Sequence, residues 1–194
     1  MIIKNLNEFP IIFFRSQKKW RSWLLKYYSK SDGIWLQFYK KNSGIKSLNY
    51  HQALDEALCF GWIDGQSKSF DEKSYLQKFT PRRKRSIWSK RNTEKAEQFI
   101  KEGKMHSSGL AETEAAKADG RWEKAYDSPA KMQIPDDFLK ELSKNPKALS
   151  FFNSLNRTNI FSIAWRLQTA KKAETRMKRM EAIIEMLEQG KKFH

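Results

Sequence analysis

The spacing of apolar residues changes character near residue 90, and this change constrains the fold more than any other feature of the 194-residue chain. Before it, short runs rich in aromatic and β-branched residues alternate with turn signals. After it, the apolar stripes repeat at helical spacing. "GIWLQFYKK", residues 33–41, is apolar on both faces and leads into the turn "KNSG", which is the pattern of a central, buried strand placed at 34–40. "WIDGQSKSF" and "KSYLQKFT" are two further β-like runs separated by an acidic turn around Asp71 and Glu72. They predict a hairpin over 62–80, closed by Pro81, which cannot donate to a strand ladder.

Two helices are expected among these strands. Ser16 is a good N-cap for a helix that puts Trp20, Trp23, Leu24 and Tyr27 on one face. Asn49, with Gln52 at the capping-box position, starts a second helix that turns Leu54, Ala57 and Leu58 inward and ends at Gly61. Beyond residue 90, "NTEKAEQFIKEG" and "SSGLAETEAAKADG" read as helices stopped by Gly103 and Gly120. The linker "YDSPAKMQIP" follows, then two short helices bounded by prolines. A long last helix over about 160–189 carries the stripe Ile163, Leu167, Ala170, Met177, Met180, Ile184 and Leu187. No internal repeat is found. The expected architecture is α+β: a small antiparallel sheet with packed helices over 1–90 and an all-helical part over 91–194, in a single unit.

Composition excludes several chemistries. Aromatic residues make up 13% of the chain, with seven Trp and thirteen Phe, far beyond what a disordered segment carries. Cys59 is the single cysteine, so no intrachain disulfide forms, and the three histidines (His51, His106, His194) stand too far apart in sequence for a metal-ligand spacing; no metal or cofactor is implied. Cys59 lies between Leu58 and Phe60, the place of a small buried hydrophobe rather than of an activated nucleophile. "GWIDGQSK" lacks the spacing of a phosphate-binding loop. The N-terminal apolar runs are too short for a secretion signal and no window is long enough for a membrane span, so a soluble cytoplasmic protein is expected.

Charge supplies the positive signal. Lys and Arg number 38 against 22 Asp and Glu, a formal +16, which draws the chain toward polyanions. The cations concentrate in "FTPRRKRSIWSKRN", where Arg82, Arg83, Lys84, Arg85, Lys90 and Arg91 surround Trp88, a mixture suited to phosphate contact and base stacking. A second concentration, Arg166, Lys171, Lys172, Arg176, Lys178 and Arg179, falls in the last helix among Glu174, Glu181, Glu185 and Glu188. Asp64, a carboxylate near the start of a strand, is the one candidate acid or base; Lys68 is expected on the same face of an extended chain. Backbone amides or Arg82 are the expected partners of its carboxylate.

"EALCFGWIDG", "FTPRR", "WS.RN", "AK.DGRW..AYD" and "ETR", in that order, resemble the bacterial family labelled bacteriocin-protection, YdeI/OmpD-associated, over nearly the whole chain. The resemblance implies protection against bacteriocins or cationic peptides and association with an outer-membrane porin. It brings no catalytic residues. By the family pattern, Trp62, Asp64, Lys68, Arg82, Arg83, Trp88, Ser89 and Asn92 are the residues expected to line a functional surface. Three readings stand open: a non-enzymatic module that binds an anionic ligand or nucleic acid through the basic loop, a stress-protection protein that docks a protein partner on its C-terminal helix, and an enzyme centred on Asp64. Oligomeric state is left open by all three.

Overall fold

The computed structural model describes residues 4–6, 9–127 and 131–194. Its contacts divide the chain into two compact units, Met1–Trp88 with Asn92–Lys124, and Ser89–Arg91 with Ala125–His194. The two helices that follow the hairpin belong almost wholly with the sheet.

Among the described residues of the first unit, five strands form one sheet in the order β1-β2-β3-β5-β4: β1 (Lys4–Leu6), β2 (Phe9–Phe13), β3 (Ile34–Tyr39), β4 (Trp62–Ser69) and β5 (Ser74–Pro81). β3 is central and buries Ile34, Trp35, Leu36 and Phe38. β4 and β5 form the expected hairpin. β2 is an element the sequence did not announce. It runs parallel to β3, making the sheet mixed, and its buried Ile11 and Ile12 form a run too short to show alternation.

α1 (Gln17–Tyr27) and α2 (Tyr50–Cys59) begin as predicted. The Ser16 hydroxyl accepts from the Lys19 amide, and Asn49 and Gln52 form both bonds of a capping box. Trp20 fastens α1 to its neighbours: fully buried, it donates its indole N–H to the Ala53 carbonyl at 3.0 Å and meets Phe79 and Trp62 with ring centres 5.9 and 6.3 Å away. α3 (Lys90–Lys101) and α4 (Ser107–Ala118) follow the hairpin. The backbone of α4 touches the end of α2, where Gly61 adopts φ +72° and Gly109 replaces any larger residue.

The hairpin carries an irregularity that reassigns a face. Asp64 pairs with Phe79 but Ser67 with Gln77, so a bulge adds one residue to β4 between them. Lys68 therefore sits opposite Leu76, an odd number of residues from Phe79, and faces away from Asp64. The shared face expected for these two residues is corrected accordingly.

Among the described residues, the regular elements that lie wholly in the second unit are helices: α5 (Asp136–Leu142), α6 (Pro146–Asn153), α7 (Arg157–Gln168) and α8 (Ala173–Glu188). The single helix expected over 160–189 is two helices. Thr169 closes α7 by donating its hydroxyl to Trp165 O, and Lys172 is extended, with φ −109° and ψ 139°. A straight helix would set Ile163 and Leu187 about 36 Å apart. Folding back lets both enter one core with Phe138, Leu142, Ala148, Phe152, Leu167, Met180 and Ile183. The break also resets the helical phase: Ile183 rather than Ile184 is buried, and Met177 is 51% exposed. No described helix is long and apolar enough to cross a membrane.

Candidate functional site

Pro81 ends β5 and releases the basic loop, residues 82–88, whose conformation is fixed from within the first unit. The Arg82 amide donates to Gly61 O at 2.9 Å. Its side chain turns inward, 6% exposed, donates to Ile87 O at 3.3 Å and lays its guanidinium 3.7 Å from the centre of the Trp88 ring. Trp88 is buried and packs against Trp122, ring centres 4.9 Å apart. Arg121, held by Asp119 at 2.7 Å, donates to Ser86 O at 3.0 Å. Within the loop the Ser86 amide bonds to Arg83 O and the Arg83 amide to the Ser86 hydroxyl. These contacts leave Arg83, Lys84 and Arg85 at the tip, exposed, and no described carboxylate forms an ion pair with any of them.

The other residues singled out in the sequence separate into distinct places. Trp62 is a core residue that donates its indole N–H to Tyr28 O at 3.1 Å. The partner of Asp64 is neither a backbone amide nor Arg82: its carboxylate accepts a 2.7 Å bond from the Tyr50 hydroxyl at the start of α2. Lys68 lies on the other face of the sheet, its ammonium 4.2 Å from the Trp35 ring centre. Asn92 is buried in the first turn of α3. Ser89 belongs to the second unit, bridged to Tyr126 beside the Lys90 to Asp127 ion pair of 2.7 Å; that ammonium holds the Asp127 carboxyl below its usual range. The loop thus keeps Arg82, Arg83 and Trp88 together, while Trp62, Asp64 and Lys68 are dispersed.

A second cluster, absent from the sequence reading, surrounds a cleft of about 440 Å³ between α1, α2 and the end of α3. Glu56 is 7% exposed and accepts from Gln17 and Arg21, each at 2.7 Å, while Arg21 also donates to Lys104 O at 2.9 Å. Asp55 pairs with Lys95. Cys59 lies beside them, its thiol pushed up to about 11 by burial first and by the Glu56 charge second. It is therefore protonated at neutral pH and unsuited to attack. Acid and base neutralise each other here, so the cluster fastens α1 to α2 rather than offering an unmatched charge. Glu56 could have been noticed in the sequence, since it sits three residues after Ala53 on the face that α2 buries.

Comparison with known families finds two matched segments. Residues 12–112, just over half the chain, match a domain of unknown function (DUF8412). Residues 131–190 match the family described as Bacteriocin-protection, YdeI or OmpD-Associated. No curated protein and no solved structure matches.

Proposed function

We propose that this chain, which belongs to the DUF8412 family over residues 12–112 and matches the YdeI- or OmpD-associated family over residues 131–190, is a non-enzymatic binding protein that holds anionic ligands, nucleic acid foremost, on the loop 82–88. The observation that carries this reading is the loop tip: three consecutive exposed cations on a turn that the rest of the unit keeps in place. A pinned loop loses little conformational entropy on binding, so its charges act together. The formal +16 adds long-range attraction.

Trp88 is committed to Arg82 and Trp122 and is not offered to a base. The loop would therefore grip phosphates with little preference for sequence, and binding would fall steeply with salt as counterions are displaced. The reading with Asp64 as acid or base has less support, because the Asp64 carboxylate is occupied by Tyr50 and the Arg82 guanidinium lies over Trp88. The partner-docking reading is also weaker, because Met180, Ile183 and Leu187 are spent on the core of their own unit.

Fluorescence anisotropy with labelled single-stranded RNA, single-stranded DNA and duplex DNA tests the proposal. The comparison is between wild type, R83A/K84A/R85A and a control of equal charge loss, K41A/K46A/K73A, taken from other exposed positions. The loop variant should bind about tenfold more weakly or worse near 0.1 M salt, three lost phosphate contacts outweighing a general loss of charge. Equal losses in the two variants would remove the loop from the function.

A further inference from the structure

Arg166 on α7 and Arg179 on α8 line a cleft in the second unit, and neither has an acidic partner among the described residues. The cavity measures about 310 Å³ and has Trp165, Ile183, Met186 and Phe193 among its walls. Each guanidinium is held by a backbone carbonyl: Arg166 donates to Ser162 O at 3.0 Å, and Arg179 to Arg166 O at 2.7 Å. The Arg166 guanidinium also lies 3.6 Å from the centre of the Phe193 ring. Phe193 is itself placed by its neighbour His194, whose amide donates to the Asn159 side chain at 3.2 Å and whose imidazole meets the Ser162 hydroxyl at 3.1 Å.

No described carboxylate forms an ion pair with either arginine, although Asp137 pairs with Arg176 and Glu174 with Lys178 on the same helix. Partial burial and the nearby Arg179 charge lower the proton affinity of Arg166, so the two cations repel across a partly dry site. Such a pair costs stability unless an anion enters. One carbonyl acceptor also leaves most of the donors of each guanidinium unused, and those donors form a fork that matches the two oxygens of a carboxylate.

The geometry points to a binding site for a carboxylate amphiphile, with the acid head between Arg166 and Arg179 and a short apolar body against Trp165, Ile183, Met186 and Phe193. The volume lies at the small end of ligand pockets, so a single fatty or aromatic acid fits the site and a folded peptide does not. Apolar walls with two convergent charged donors are the usual composition of a site that binds the body by burial and orients the head by charge. The site lies within the second unit and shares no residue with the loop 82–88.

Isothermal titration calorimetry on the full chain tests the site with sodium decanoate, 1-decanol and sodium acetate as probes. Decanoate should bind saturably with a submillimolar Kd, decanol about tenfold more weakly or worse for want of the charged hydrogen bonds, and acetate without detectable heat. Arg179→Gln should weaken decanoate about tenfold or more. Ala182→Trp, an exposed position at the cleft, should block it without disturbing the core, which covers the case in which the Arg179 variant loses its fold. Decanol binding as tightly as decanoate, decanoate binding unchanged by both substitutions, or no saturable decanoate binding would each overturn the site. None of these outcomes bears on the nucleic-acid loop.

Discussion

Gly109→Ala in α4 should destabilise the protein, although replacing glycine by alanine inside a helix ordinarily gains about 1 kcal/mol. A β-carbon at 109 would lie 2.7 Å from the carbonyl carbon of Cys59 and nearer still to its oxygen. Carbon contacts settle at about 3.5 Å, so the ends of α2 and α4 would have to part by about 1 Å, and backbone on both sides cannot swing aside as a side chain would. That movement would stretch the bond from the His106 amide to Cys59 O and the bond from the Ser108 hydroxyl to Phe60 O, both 3.0 Å. Two such bonds are worth about 1 kcal/mol each, and overpacking adds about 2 kcal/mol. Against the gain of about 1 kcal/mol in propensity, the net loss is about 3 kcal/mol. Urea unfolding followed by tryptophan fluorescence would measure it as a lower midpoint at unchanged slope. Gly103→Ala, at φ +63° with open space around it, should cost only about 1 kcal/mol. The turn after α4 also carries Arg121 and Trp122, so the Gly109 variant should bind nucleic acid more weakly as its loop loosens. A Gly109→Ala protein as stable as wild type, or more so, would refute the account of the α2–α4 contact.

Arg21→Met should cost about 3 kcal/mol by leaving the buried Glu56 carboxylate without its cation, and Arg21→Met with Glu56→Met should recover most of that loss in the same unfolding assay. If the double variant is no more stable than the single one, the pair is not coupled as described. Cys59 should resist thiol reagents in the folded protein: with its pKa near 11, only about one part in a thousand is thiolate at pH 8, and the group is buried. Labelling with a chromogenic disulfide should be slow until urea is added; rapid stoichiometric labelling of native protein would contradict the environment assigned to it.

The elements that were legible in the sequence are those with their own local chemistry. Ser16 and the Asn49–Gln52 box mark the starts of α1 and α2, and the acidic turn at Asp71 marks the hairpin. What escaped depends on partners far away in the chain. β2 is defined by lying parallel to β3, not by any alternation of its own. The bulge after Asp64 has no signal beyond Gly65, yet it sends Lys68 to the opposite face. The break between α7 and α8 follows from the need to bury two stripes in one core, which a helical-periodicity argument cannot see. The site residues divided in the same way: the basic run announced the loop tip, but composition could not tell that Arg82 and Trp88 fasten the loop from inside. Gln17, Arg21 and Glu56 are separated by up to 39 positions and meet only once α1 lies on α2.

The salt dependence of single-stranded RNA binding tests the central claim most directly, because it counts phosphate contacts rather than net charge. Wild type and R83A/K84A/R85A are compared as log K against log salt concentration. If the loop tip grips the backbone, each lost contact removes about 0.7 from the slope, and the variant should be shallower by about 2. Parallel lines for the two proteins would mean that Arg83, Lys84 and Arg85 touch no phosphate, and the loop would then have no part in binding.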